Sequence, residues 1–250
     1  MADRLPSVPS IEVVSRDLGG DSVHRAHHLL DTLNVKRWRD CFFGDTIHGG
    51  YAAFTGDDGA FAIPADEAYA ELSASAGAGE TGEYCGVAFP GLNFKGNQNP
   101  TIVGRLTLDA ITSVKVEFGF TDDKNDIGAV NALATPTVTA DDFAVWCLDT
   151  NDDAYWQCVF AKAGVVGTKI EPGKSPVALT HEYLIVTLQD NFAKFIRLND
   201  QGKNIYESPW VDALTATDSL TPWAFVQLRG SVDRSVRFEL LDAWGNFTSG

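Results

Sequence analysis

The sequence predicts an all-β protein: a two-sheet antiparallel sandwich preceded by an extended arm and one short helix. Three observations carry this. The stretch from His181 to Tyr206 writes out a hairpin and most of a third strand. Its β-rich runs Tyr183–Leu188 and Phe192–Leu198 meet at Asp190-Asn191, residue types that tolerate positive φ in tight turns. Runs of this kind recur from residue 36 onward at spacings of about 8–12 residues, the rhythm of a sandwich or barrel. No long helical pattern interrupts them, which removes βαβ folds. Leu184, Val186, Leu188 and Phe195 share one face of the hairpin, and Tyr183, Ile185, Ile196 and Leu198 the other. The ribbon is therefore expected to be covered on both sides, inside a layered domain rather than at its rim.

The elements follow in order. Residues 1–10 hold Pro6 and Pro9 and few apolar side chains, an extended arm. Asp21 or Ser22 caps a helix expected to run to about Asn34. On it Val23, Ala26, Leu30 and Leu33 recur at helical spacing and form one apolar stripe. No second helix is at hand to bury that stripe, so residues 1–35 are expected to dock on the β domain or on a partner. The sandwich is expected over 36–250. Early strands are predicted at Trp38–Phe43, Tyr51–Phe54, Ala60–Ile63, Ala70–Ser73 and Gly86–Phe89. Middle strands follow at Thr101–Leu108, Ser113–Phe120, Phe143–Leu148 and Tyr155–Phe160. After the hairpin come Lys203–Tyr206, Ala224–Arg229 and Ser235–Asp242. Clusters such as Thr55-Gly-Asp-Asp-Gly59, Thr121–Asp126 and Asp149–Asp153 supply the turns between them.

Composition bounds the function. With 250 residues and 44% hydrophobic content, the chain can bury a large core without disulfide or metal staples. The 34 acidic against 19 basic residues give a formal charge of −15, which repels phosphate backbones, so no nucleic-acid partner is expected. Cys41, Cys85, Cys147 and Cys158 form no C-x-x-C pair, which excludes zinc ribbons and thioredoxin-like redox sites. Buried free thiols are expected, with a Cys147–Cys158 bridge across a hairpin as the alternative. Met1 is followed by neither a basic nor an apolar leader segment, and no run of about 18 apolar residues occurs. Cytoplasmic synthesis without membrane insertion is the expectation.

Candidate chemistry is sparse. Glycoside hydrolysis needs two carboxylates about 5–9.5 Å apart across a groove. A Glu-x-Asp-x-x-Glu strand would aim them at one face, and none is present. Asp66-Glu67 with Glu71 comes nearest but has the wrong spacing. Gly173-Lys174-Ser175 lacks the first glycine of a P-loop, since Thr168 stands there, and Pro176 blocks the helix that would hold a phosphate. His24 and His28 share a helix face without a supporting glutamate or third ligand. Asp149, Asn151 and Asp153 occupy calcium-loop positions, but Ala154 replaces the turn glycine and Phe160 the closing glutamate. These three are weak calcium candidates; otherwise no cofactor and no catalytic residue is expected. Trp210 and Trp223 lie beside Pro209 and Pro222 near loops and are candidates for a sugar-stacking platform, whereas Trp146 and Trp156 fall in strands and read as core.

The order of these features resembles a known domain. Trp38 leads, Gly49-Gly50 precedes an early hairpin, and Pro100–Leu108 is followed by Val114–Asp122. Phe143–Asp149, Trp156–Phe160, the His181–Leu198 hairpin, Pro222–Gln227 and Arg237–Asp242 complete the series. Over roughly residues 36–245 this is similar to the concanavalin A-like jelly-roll domain of virion proteins of tailed bacteriophages, found as capsid-decorating, head-fibre or minor tail components. The resemblance implies a non-enzymatic structural protein of the virion, assembled in the host cytoplasm and attached through its N-terminal segment. Its partners would be capsid or tail proteins, and it would be a homo-oligomer such as a trimer. The same fold serves lectins and glycanases, so a carbohydrate-binding module for a host-surface glycan, or a glycanase, remain alternatives.

Overall fold

The computed structural model describes residues 35–44, 46–77 and 82–247. The helix expected over 21–34, with Val23, Ala26, Leu30 and Leu33, lies outside them, as do His24 and His28. Among the described residues the strands run, in chain order, β1 (Val35–Asp40), β2 (Ala52–Thr55), β3 (Gly59–Ala62), β4 (Ala70–Ala74) and β5 (Tyr84–Ala88). Next are β6 (Phe94–Lys95), a 3-10 turn (Gly96–Gln98), β7 (Thr101–Leu108), β8 (Val114–Thr121), β9 (Val130–Ala132) and β10 (Thr137–Val138). The series continues with β11 (Phe143–Asp149), β12 (Gln157–Lys162), β13 (Val165–Val166), β14 (Glu182–Gln189) and β15 (Phe192–Asn199). It closes with β16 (Asn204–Glu207), β17 (Val211–Asp212), β18 (Ser219–Leu228) and β19 (Arg234–Asn246). Each run expected from the sequence forms a strand, most with shifted ends and Thr101–Leu108 with the expected ones.

Among the described residues the strands make two large antiparallel sheets. The first runs β16-β15-β14-β7-β19-β4-β3, with β1 on β19 and β17 on β15. The second runs β13-β12-β11-β8-β18-β5-β2, with β6 on β18. Alternation decides what lies between them. On β8, Val114, Val116, Phe118 and Phe120 point into the core, where they meet Leu106, Leu184, Val186, Phe195 and Phe238 of the first sheet. Each such side chain contributes about 1.5–3 kcal/mol by leaving water. Phe118 and Phe238 stack across the gap at 6.0 Å. Val35 pairs with Asn246, so the chain enters the sandwich beside the point where it leaves.

Two expectations need correction. The hairpin β14–β15 buries Leu184, Val186, Leu188 and Phe195, but its other face, with Tyr183, Ile185, Ile196 and Leu198, is only partly buried. Cover on both sides belongs instead to β8 and β11, every residue of which is buried. The physical reason is that residues 122–140 return across the second sheet. The second correction concerns β18, expected over Ala224–Arg229. It runs through Pro222. The ladder to β5 stops at Trp223 and the one to β6 starts at Leu220, and in the gap the Thr221 hydroxyl accepts the Phe89 N–H at 2.9 Å. Cys147 and Cys158 are both free and lie on opposite faces of the second sheet, one in the outer cluster and one in the inner, so no bridge joins them.

Candidate functional site

The outer face of the second sheet carries the polar residues that its inner face excludes. Lys115 and Glu117 project there from β8, flanked in register by Asp149 and Cys147 of β11 and by Gln227 and Phe225 of β18. None of these reaches water. Residues 122–140, including the small β9–β10 ribbon, form a strap across them. Ala129, Val130, Leu133 and Ala140 of the strap pack on Phe143, Val145, Val159, Trp223 and Phe225 as a second core.

Charge pins the strap. Lys115 Nζ lies 2.8 Å from Glu117 Oε1, with both side chains fully buried. Lys115 also donates to the Ile127 carbonyl at 2.5 Å and to that of Val130. Glu117 accepts from the N–H groups of Ala129 and Val130 at 2.7 and 3.0 Å and from Trp223 Nε1 at 2.8 Å. A carboxylate with three donors and an ammonium is among the few buried charges that do not destabilise a core. Gly128 makes the approach possible: its φ is +80°, and a Cβ there would sit 2.5 Å from Glu117 Oε1. Asp149 is tied in turn to Arg229 Nη2 at 2.5 Å, and Asp152 accepts the Leu133 and Ala134 N–H groups at 2.7 and 2.8 Å.

The residues singled out by sequence fall as follows. Trp223 is fully buried, with its Nε1 spent on Glu117, so it offers no exposed platform; its neighbour Pro222 lies inside a strand rather than a loop. Trp210 is 42% exposed, with Lys194 Nζ 5.7 Å above its ring. The calcium spacing does not produce a cluster. Asp149 is held by Arg229 and accepts the Asn151 N–H, while Asp153 caps Ala154 N–H and takes Gln157 Nε2. Among the described residues no group of three His, Cys, Asp or Glu side chains is arranged to hold a metal ion. Gly173-Lys174-Ser175 lies in an irregular segment whose carbonyls at 174 and 175 accept from Arg197, itself paired with buried Glu182 at 2.6 Å. Burial raises the Glu182 carboxyl despite Arg197.

At one end of the sandwich three aspartates converge. Asp142 is buried, donates its N–H to Asp122 Oδ2 at 3.0 Å and accepts the N–H groups of Thr215 and Ala163. Burial, together with the charges of Asp142 and Asp141, pushes the Asp122 carboxyl up to about 6. Asp218 is raised as well, by burial and by its hydrogen bond to Asp142.

Where the strap ends, the same sheet face opens into a hollow of about 410 Å³ lined by Ala52, Phe54, Tyr84, Ala88, Pro90 and Lys124. Ala52 and Ala88 are cross-strand partners, and two such short side chains leave the space. Phe54 leans over Gly86, its ring tip filling the volume a side chain there would need. Its ring stacks on Trp223 at 5.1 Å and 24° and lies 6.1 Å from Tyr84. Sequence reasoning passed over Phe54, Tyr84, Lys115, Glu117 and Lys124. The one local signal was Lys115 and Glu117, two charges two residues apart on a strand apolar on its other face.

No family model matches the chain, and no curated protein does. Similar solved structures exist. A protein of unknown function from Shewanella oneidensis MR-1 is 9% identical with a TM-score of 0.61, covering 90% of this chain and 95% of its own. The catalytic domain of an endo-1,3-beta-glucanase (laminarinase) from Thermotoga petrophila RKU-1 is 9% identical, TM-score 0.55, covering 84% and 97%. The CBM2 module of the evolved Dit of Lactobacillus casei BL23 phage J-1 is 9% identical, TM-score 0.53, covering 87% and 98%. At such identity the likeness concerns the fold alone. That fold is the concanavalin A-like jelly roll that lectins and glucanases share.

Proposed function

We propose that this chain is a non-enzymatic structural protein of a tailed-bacteriophage virion, carried on the head or tail surface and attached through residues 1–35 to capsid or tail proteins as a homo-oligomer. The observation that carries the non-enzymatic part is the sealed sheet face. Its carboxylates, Glu117 and Asp149, are buried and neutralised by Lys115 and Arg229 rather than set across a groove from each other. Supporting the virion part are the strand order of residues 36–245 and the likeness in fold to a module of a phage Dit. Particles lacking the protein, mixed with the full chain and with a variant missing residues 1–35, test the attachment by negative-stain imaging. Decoration by the full chain alone is expected; equal decoration by both sinks the docking idea. Release of reducing ends from any of a panel of polysaccharides, abolished by a single carboxylate substitution, would overturn the non-enzymatic reading.

A second reading, a carbohydrate-binding module used on the virion or alone, is favoured by the open aromatic hollow at the edge of the sealed face. The two readings are compatible, since a surface protein can also contact a host glycan.

A further inference from the structure

The hollow beside β2 and β5 differs from two other concavities among the described residues in what lines it. The depression at Phe43, Gly44, Pro64, Asp66 and Glu67 has one ring and two carboxylates at an exposed bend. The smaller one of about 220 Å³ at Val177, Thr180, His181 and Ile205 is floored by the Glu182–Arg197 pair, whose polar atoms are already matched. At Phe54 the materials are different. About 410 Å³ lies within the range of roughly 300–1,000 Å³ usual for small-molecule sites.

We propose that this hollow binds one ring of a neutral pyranose sugar, seated on Phe54 and hydrogen-bonded by Lys124. The proposal rests on the carbohydrate-binding reading above and gives it a place. Three features argue for it. The stack on Trp223 occupies one side of the Phe54 ring, and the ring also lines the hollow, which leaves its other side to an occupant. The C–H face of a pyranose carries partial positive charge and suits the negative face of a phenyl ring. Because Trp223 and Phe225 hold Phe54 from behind, with ring centroids at 5.1 and 6.4 Å, little side-chain freedom remains to be lost on binding.

The second feature is Lys124. Its Nζ donates to the carbonyls of Pro90 at 2.7 Å and Phe89 at 3.2 Å, and no carboxylate pairs with it among the described residues. An ammonium has three donors, so one is left, at the wall of the hollow, for a ring or hydroxyl oxygen. The third is the charge around the other wall. The Tyr84 hydroxyl is held above its ordinary range by burial and then by Asp126, Glu83 and Asp57. None of the three carboxylates lines the hollow, so they act on it through their charge alone, which disfavours an anionic sugar and makes the neutral class the fit.

The test is saturation-transfer NMR on the full chain with methyl glycosides of glucose, galactose, N-acetylglucosamine and rhamnose, and with N-acetylneuraminic acid as the acidic probe. At least one neutral glycoside is expected to receive saturation. Its affinity should fall roughly tenfold or more in Phe54→Ala and in Ala52→Leu, which fills the hollow from an edge strand and leaves the aromatic stack in place. Trp210→Ala should bind as the parent does. Binding that survives both Phe54→Ala and Ala52→Leu, or that is strongest for the acidic probe, overturns this assignment while leaving the carbohydrate reading standing. Saturation of no sugar, neutral or acidic, in the parent protein overturns both, and particle decoration, measured separately, is unaffected by either result.

Discussion

Lys115 and Glu117 stand two residues apart on one strand, side by side beneath a strap of the same chain, their charges 2.8 Å apart and wholly removed from water. Between them they accept from or donate to the backbone of Ile127, Ala129 and Val130, so the pair fastens the strap as much as it satisfies itself.

Removing one partner strands the other. Lys115→Met and Glu117→Leu are each expected to cost about 3–5 kcal/mol, read from the urea midpoint at constant slope. The double variant should recover part of that loss, because it removes both charges at once. Single variants within 1 kcal/mol of the parent, a value at the level of ordinary surface change, would show that water reaches the pair.

Trp223 and Trp210 separate structure from surface. Trp223→Ala empties a site in the second core and leaves Glu117 one donor short, an expected loss of about 3–5 kcal/mol. Trp210→Ala, at a side chain 42% exposed, should change stability by no more than about 0.5 kcal/mol. Thermal melts of the two variants decide this.

The raised Asp122 carboxyl makes stability depend on pH in a definite direction. Its folded-state value, about 6, exceeds the unfolded one, so the folded protein holds the proton more tightly. The cost of the charged form is absent below about pH 4, grows as pH rises toward 6, and is constant above. Asp122→Asn should therefore flatten the stability profile between pH 4 and 6. Since half the group is open to water, the effect at pH 7 is about 1 kcal/mol rather than the full shift. A profile unchanged by the substitution would mean that other groups carry the pH dependence.

Thiol chemistry should distinguish the cysteines. Burial pushes the Cys85 thiol up to about 12 and raises Cys147 and Cys158 too, so little nucleophilic thiolate forms at these sites. A thiol reagent added to native protein is expected to label Cys41 alone, which is partly exposed, and to reach the other three only on unfolding. Fast native labelling at Cys147 would mean that the strap opens.

Local pattern carried much of this architecture. Thr101–Leu108 reads as a strand from its alternation and is one to the residue, because inward and outward positions there have different partners. What depended on distant pairing was not legible. The strap contains β9 and β10, strands of three and two residues, and its grip on β8 comes from backbone groups that no residue type announces. The hollow exists because Ala52 faces Ala88, a matter of register between segments separated by two other strands. Trp223 looked loop-like beside Pro222; the proline instead lies inside β18, at a point where the ladder to β5 has already stopped at Trp223.

The pairing of Val35 with Asn246 has a mechanical consequence. The start of β1 and the end of β19 lie at a single corner of the sandwich, so a load applied at Val35 and Asn246 meets the domain at one point. A force that draws both ends the same way strains no ladder at all. One that parts them peels β1 from β19 bond by bond, beginning at Val35, while the two sheets keep their shape.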